Sequence, residues 1–367
     1  MEEQGVPRDE VKVDPAIHVK VIFGGQKVIL FAEITYFCAL TEVFYVQGII
    51  STLFFTCLLL VSVTNSFAQT GWTRNASGTN GDLVAVYFTS ADKGWVAGDN
   101  GYLASTTDGG RTWMTHTLNT SEDINEIYFR NEKNGYLVAG RKMFITSDAG
   151  ATWRETVIYR PGEFRSGTPE FLSIRFADKH RGIVVGSVLN RSGAVVDSLV
   201  MRTQDGGETW QRIMVPSKTE LFHLDYNGGS DGWIVGDEGV ILSTVDGGDT
   251  WILQNSETHL ALFNVDFRDD REGYVVGEKG LILRTENGGV TWDRVPINTL
   301  ANLMRVDFAD DKNGWIVGYG GLILRSSDKG RTWIKQESTT TGHLYGLFIT
   351  KKYGWAVGAK GVILSQR

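Results

Sequence analysis

Cysteine is almost missing from this sequence of 367 residues: Cys38 and Cys57 are the only two, and both precede residue 69. The remainder therefore offers no disulfide framework, thiol nucleophile or cysteine-based metal site. Proline is scarce as well, with 6 residues. A basic excess is also lacking. The formal net charge is −7, and −4 once residues 1–68 are set aside, which argues against a nucleic-acid partner and implies no strong electrostatic one. The apolar run Gly48–Val63 is uncharged over 16 residues, short for a membrane span.

Glycine and tryptophan are what the chain has in quantity, at 44 and 11 residues. Tight turns between short, aromatic-rich strands follow from that combination, and a repeat is the first thing to look for. Seven segments align on Gly followed by an aromatic or aliphatic residue: Gly94-Trp95, Gly135-Tyr136, Gly182-Ile183, Gly232-Trp233, Gly273-Tyr274, Gly314-Trp315 and Gly354-Trp355. Six of the seven continue into Thr/Ser-x-Asp/Asn-x-Gly-x-Thr-Trp, with the Trp at 113, 153, 210, 251, 292 and 333. The intervals are 40, 57, 41, 41 and 41 residues, so one unit alone is irregular. Each unit reads as four short strands, and such a blade cannot bury both faces alone.

The two ends are complementary. The last unit stops after its third strand, without a box. At the other end, Trp72 lies 41 residues before Trp113, in register with the box tryptophans. The chain is thus expected to be all-β, a seven-bladed β-propeller over residues 69–367, with the N-terminal strand completing the last four-stranded blade. That arrangement hides two sheet edges.

Residues 1–68 stand apart. Gly48–Val63 fits the apolar region of a signal peptide, and Ser66 and Ala68 supply small residues at −3 and −1, so cleavage is expected before Gln69. Upstream, the nearest basic residue is Lys27 and residues 1–45 resemble neither signal peptide nor compact domain. The expected start is nearer Gly48. An uncleaved membrane anchor is the alternative, and Thr56 before Cys57 speaks against a lipoprotein. The protein is expected to be exported, periplasmic or extracellular, and monomeric.

The box carboxylates have a mechanical reading. An Asp or Asn in a tight turn accepts hydrogen bonds from backbone N–H groups that the turn leaves unpaired. Asp108, Asp148, Asp205, Asp246, Asn287 and Asp328 hold these positions, and six equivalent turns cannot all be active sites. Such boxes resemble the bacterial neuraminidase repeat of sialidases and sortilin-type receptors. The longer pattern Gly-Trp-x-Val-Gly-x-x-Gly-x-Ile-Leu-x-Thr-x-Asp-Gly-Gly-x-Thr-Trp, at Gly232–Trp251, most resembles the photosystem II stability/assembly factor family. That resemblance spans Gln69–Arg367. It implies a seven-bladed propeller of the thylakoid lumen or bacterial envelope, whose photosynthetic members chaperone early photosystem II assembly by binding a reaction-centre subunit. A non-enzymatic propeller with a protein client is therefore expected.

The alternative is a carbohydrate-binding or sialidase-like glycoside hydrolase propeller. By resemblance, a sialidase needs an arginine triad, a Tyr–Glu pair and an acidic proton donor. The Arg-Ile-Pro element is absent, and Arg175 and Arg305 are the only arginines placed in inner strands. No catalytic residue, cofactor or metal ligand is assigned.

Three places invite a partner. The third unit is longer in two loops of one face: Trp153 to Gly182 takes 29 residues against 22 in most units, and Gly182 to Trp210 takes 28 against 19. The surplus maps to Tyr159–Pro169 and Ser187–Asp197, where Tyr159, Arg160, Phe164, Arg165 and Arg191 are residue types enriched at interfaces. Arg202, Arg284 and Arg325 recur before the box and suggest a basic cluster on the opposite face. Finally, positions nine before each repeat Gly (Ala85, Glu126, Ser173, His223, Asn264, Arg305, Tyr345) and seven before it (Tyr87, Tyr128, Arg175, Asp225, Asp266, Asp307, Leu347) lie on inner strands. They either line an axial channel or bond neighbouring blades.

Overall fold

Seven four-stranded antiparallel sheets follow one another along the chain in a computed structural model that describes residues 19–23, 26–30, 71–160, 162–164, 167–227 and 229–366. The innermost strands of blades 1 to 7 are Leu83–Phe88, Ile124–Phe129, Thr168–Phe176, Leu221–Asn227, Leu262–Phe267, Leu303–Phe308 and Leu344–Ile349. Each contacts its successor, and blade 7 contacts blade 1, so the ring is closed. Two units divide the chain at Gln69/Thr70. In the first, Val19–Phe23 pairs antiparallel with Gln26–Leu30. The expected signal segment and cleavage point lie outside the described residues. Among the described residues, no helix is long and apolar enough to cross a membrane.

In six of the seven blades the repeat glycine is set by an aromatic ring of its own blade, and in blade 7 by Ile349. At the foot of each innermost strand a large side chain packs over the start of the second strand. A Cβ added at Gly94 would meet the Phe88 ring at 2.4 Å, and one at Gly273 would meet Phe267 at 2.4 Å. The residue after the Gly then reaches the next blade. Trp233 stacks on Phe267 at 3.4 Å with 6° between planes, and Trp355 stacks on Phe88 at 3.5 Å and 11°. These face-to-face stacks bury apolar ring area between the blades. Box tryptophans supply the edge: Trp292 meets Phe267 at 5.8 Å and 88°. The sequence motif Gly-Trp is therefore half of an inter-blade joint.

Blade 7 closes as the truncated repeat requires. Thr73–Asn75 pairs with Ile363–Ser365 of the strand Val362–Gln366. The Asn75 amide donates to Ser365 Oγ at 2.8 Å, and Trp72 is buried.

The surplus of blade 3 does not form loops alone. Its first three strands lengthen to Thr168–Phe176, Gly182–Leu189 and Val195–Thr203, paired out to Thr168↔Leu189 and Leu189↔Val195. A β-tongue results. Its tip is an Asx turn in which Asn190 Oδ1 accepts from Ser192 N and Ala194 N.

Candidate functional site

The box turns are self-contained. In the first, Asp108 Oδ1 accepts from Thr112 N at 2.9 Å and Oδ2 from the Thr112 hydroxyl at 2.6 Å, while Thr106 Oγ1 accepts from Gly110 N at 3.0 Å. The same pattern recurs at Asp148, Asp205, Asp246 and Asp328. The Thr152 hydroxyl and N–H, with the Thr146 hydroxyl, hold the Asp148 carboxyl down at about 2. Asn287 makes the equivalent bonds with a neutral amide: Oδ1 accepts from Thr291 N at 3.0 Å and Nδ2 donates to Thr291 Oγ1 at 3.0 Å. Acceptor geometry is what the turn uses; the charge is dispensable.

At the axis a carboxylate and two guanidinium groups meet. Glu126 of blade 2 receives Arg305 Nη2 of blade 6 at 2.6 Å, Arg175 Nη2 of blade 3 at 3.2 Å and the Ser173 hydroxyl at 2.7 Å. Burial alone would raise the Glu126 carboxyl, but Arg175 and Arg305 hold it below its ordinary value. Burial, together with Arg305 and Arg175, drives His223 well below its ordinary pKa. The neutral ring presents Nε2 to Arg175 Nη2 at 3.0 Å. Both inner-strand arginines are thus committed to one internal carboxylate.

The neighbouring aspartates bond blade to blade. Asp225 Oδ2 accepts from Phe267 N at 2.8 Å and Asp307 Oδ2 from Ile349 N at 2.7 Å, each in the following blade. Between them, Asp266 Oδ2 is shielded from solvent and has no hydrogen-bond partner. Burial, with Asp307 and Asp225 nearby, raises the Asp266 carboxyl well above its ordinary value. Burial raises Asp307 to about 7. These groups line a cavity of about 180 Å³ with Tyr87 and Phe348. Among the described residues, no group of His, Cys, Asp and Glu is spaced to hold a metal ion.

One axial expectation needs correction. Blade 7 pairs Gly346 with Val357 and Phe348 with Trp355, where blade 6 pairs Arg305 with Val317 and Asp307 with Trp315. Gly346 and Phe348, rather than Tyr345 and Leu347, hold the axial positions. The hairpin of blade 7 is one residue shorter, and a one-residue slip moves every side chain to the other face. Its signal is in the sequence: Trp333 to Gly354 spans 21 residues, against 22 in the regular units.

The rim residues separate. Arg160 is exposed, and Arg191 is exposed at the tip of the tongue. Tyr159 is half-buried against Phe164 at 5.4 Å. Phe164 is no surface contact: it is 8% exposed within the core between blades 2 and 3, with Arg212 over its ring at 5.1 Å. Its loop folds back because the apolar interface of blade 3 offers the ring more burial than the rim does. Arg165 lies outside the described residues.

The three pre-box arginines do not form a free cluster either. Arg202 pairs with Asp249 of blade 4 at 2.5 Å. Arg284 pairs with Glu286 at 2.5 Å and donates to Lys329 O of blade 6 at 3.1 Å. Arg325 lies 5.1 Å over the Trp315 ring. What the structure does assemble is a lateral concavity of about 970 Å³ on blade 3, lined by Arg160, Glu163, Arg202, Trp210 and Arg212. It brings Arg160 and Arg202 together from the two candidate groups. Arg212, bonded to Asp197 at 2.7 Å, gave no repeat signal, since the equivalent positions hold Thr115, Glu155, Leu253, Arg294 and Lys335.

Against this geometry, the family model described as Photosynthesis system II assembly factor YCF48 matches residues 64–157, 117–219, 164–253, 208–301 and 298–367. Comparison with curated proteins finds no match. Among solved structures, a YCF48 bound to D1 peptide is 21% identical with a TM-score of 0.64, covering 80% of this chain and 94% of that one. YCF48 from Cyanidioschyzon merolae is 20% identical with a TM-score of 0.64, covering 81% and 98%. A virginiamycin B lyase from Staphylococcus aureus is 12% identical with a TM-score of 0.65, covering 81% and 99%. At these identities the structural likeness carries the fold alone.

Proposed function

Because the chain belongs to the YCF48 family of photosystem II assembly factors, we propose that it is an exported, non-enzymatic propeller that binds a protein client as an assembly factor or scaffold. The observation that carries the reading is the lateral concavity of blade 3, where Arg160, Arg202 and Arg212 converge beside Trp210. Guanidinium groups offer paired donors to carboxylates and stack on planar groups, and with Trp they are the residues that dominate peptide-binding energetics. The concavity suits an extended client segment carrying acidic groups or a free carboxylate. A YCF48 bound to D1 peptide supports a peptide as the kind of ligand. Arg202 and Arg212 are each held by one carboxylate, Asp249 and Asp197 respectively, so a client carboxylate can share or exchange them. At the axis, Arg175 and Arg305 are both engaged by Glu126, which supports a structural role there rather than recognition of a substrate carboxylate.

The test is cross-linking of the tagged full chain in its host, followed by identification of attached proteins. The expected result is one dominant client, lost when Arg160, Arg202 and Arg212 are all changed to Ala in a chain that still melts cooperatively. Recovery of the same client by the triple variant sinks this site, and rapid turnover of a fluorogenic sialoside sinks the non-enzymatic reading. Recovery of a mature N-terminus at Gln69 supports export by cleavage; an intact chain of 40.6 kDa argues against it.

A further inference from the structure

Every innermost strand carries a β-bulge near its start, visible as a register shift between Leu83 and Ala85 in blade 1 and at the equivalent place in the other six. The extra residues are Val84, Leu172, Phe222, Phe263, Met304 and Tyr345 in six blades, and Asn125 in blade 2. All seven side chains are half-buried, while the Leu, Ile or Phe just before each is fully buried. A bulge re-aims a side chain away from the ladder. Here it leaves an apolar side chain in six of the seven blades, and Asn125 in blade 2, at the mouth of the axis, on the face opposite the boxes. Phe222 and Phe263 meet at 5.6 Å, and Tyr345 joins Tyr319 and His343, with Tyr319 stacked on His343 at 4.1 Å. Asn125 shows that a polar residue fits the position: its amide donates to Phe171 O at 2.8 Å. The blades need an occupant there, but nothing in their packing requires it to be apolar.

The rim around this mouth is acidic over blades 2 to 4. Glu122 and Asp123 precede the innermost strand of blade 2, Glu170 and Glu220 lie two residues before Leu172 and Phe222, and Asp237 and Glu238 form the adjoining turn. Glu220 accepts from the Ser187 hydroxyl at 3.1 Å. Burial, and then the charges of Glu220, Glu122 and Asp123, raise the Glu170 carboxyl above its ordinary value, so these carboxylates lie within reach of one another. Among the described residues the nearby cations are Arg141, 3.9 Å from Glu122, Lys142, which is held by Glu155 and Asn119 O, and Lys218 and Lys279. Arg160 lines the lateral concavity and, with Arg141, a smaller hollow of about 110 Å³ between the two surfaces, and Arg191 lies at the tip of the tongue.

We propose that the axial mouth is a second interaction surface, which takes a basic protein segment whose large apolar side chain sits among Leu172, Phe222, Phe263 and Tyr345 while its Lys or Arg groups face Glu122, Glu170, Glu220 and Asp237. Apolar side chains flanked on one side by acidic groups are complementary to that chemistry. The surface is separate from the arginine-lined concavity and wants a ligand of opposite charge.

The probe is a short labelled peptide alternating lysine with phenylalanine, titrated against the full chain by fluorescence anisotropy at low and high salt. Binding should weaken by about tenfold or more in Phe222→Ser/Phe263→Ser, and should lose most of its salt dependence in Glu170→Gln/Glu220→Gln/Asp237→Asn. The second variant removes only partly exposed charges, so it reads out even if the first fails to fold. The Arg160→Ala/Arg202→Ala/Arg212→Ala variant should bind this probe undiminished whatever becomes of its client. Absence of binding, equal binding of the peptide with glutamate in place of lysine, or unchanged affinity in both folded variants would overturn the proposal.

Discussion

Arg305 of blade 6 places Nη2 2.6 Å from Oε1 of Glu126 in blade 2, joining blades on opposite sides of the ring. With Arg175 at 3.1 Å from the same oxygen, one buried carboxylate compensates two cations. Removing it is the severe change. Glu126→Ala leaves both guanidinium groups facing one another with little water, and breaking a buried ion pair from one side costs about 3–5 kcal/mol. Urea unfolding should show a midpoint shift of that size, with Glu126→Gln intermediate. A shift no larger than that of a surface Glu→Ala control would show the cluster to be incidental.

Stability should fall as the solution is made alkaline from mildly acid. Asp225, Asp266 and Asp307 are raised in the folded state by burial, Asp307 to about 7. A carboxyl raised on folding binds its proton more tightly in the native state, so its favourable contribution is present below the raised value and is lost as pH climbs from the ordinary carboxylate range through it. Melting temperature should therefore drop between pH 5 and pH 8. Asp266→Asn and Asp307→Asn should flatten the drop, since Asn retains an acceptor for Ile349 N. Glu126 and the box aspartates act in the other direction, because their lowered values make their contribution vanish in strong acid. A melting profile rising steadily to pH 8 contradicts this assignment.

Gly273→Ala should destabilise by about 1–3 kcal/mol, the usual cost of overpacking, because its Cβ would sit 2.4 Å from the Phe267 ring. Phe267→Leu shortens the obstacle, so the double variant should be less destabilised than the two single changes added together. Additive losses in the double-mutant cycle would place the cause elsewhere.

Ring closure predicts an asymmetric response to truncation. A chain beginning at Gln69 should melt as the full chain does. One beginning at Ser77 lacks Thr73–Asn75 and bares the edge of Val362–Gln366, so it should aggregate and lose its single cooperative transition. Equal melting of the two chains would mean the last strand adds nothing.

The box turns should tolerate loss of charge but not loss of the acceptor. Asp246→Asn reproduces the arrangement of Asn287, whose amide accepts from Thr291 N and donates to Thr291 Oγ1. It should leave the melting temperature nearly unchanged, while Asp246→Ala lowers it.

Blade number, strand count and closure were legible in the sequence because they follow from spacing. A period of 41 residues with one Gly-aromatic pair and one box per unit prescribes a strand-and-turn unit, and the displaced Trp72 dictates how the ends meet. The box acceptors were legible for the same reason, since their partners lie within four residues along the chain. What only the tertiary structure decided was which side chains from distant units converge. The meeting of Glu126 with Arg305, 179 residues apart, has no local pattern. The inward turn of Phe164 depends on an interface built by two blades. The departure of Tyr345 from the axial row lies between the two: the spacing of 21 residues from Trp333 to Gly354 registers a missing residue, and the strand register shows which side chains it turns. Spacing fixes which residues are equivalent, but the sign of a side chain's environment is set by neighbours the chain supplies from elsewhere.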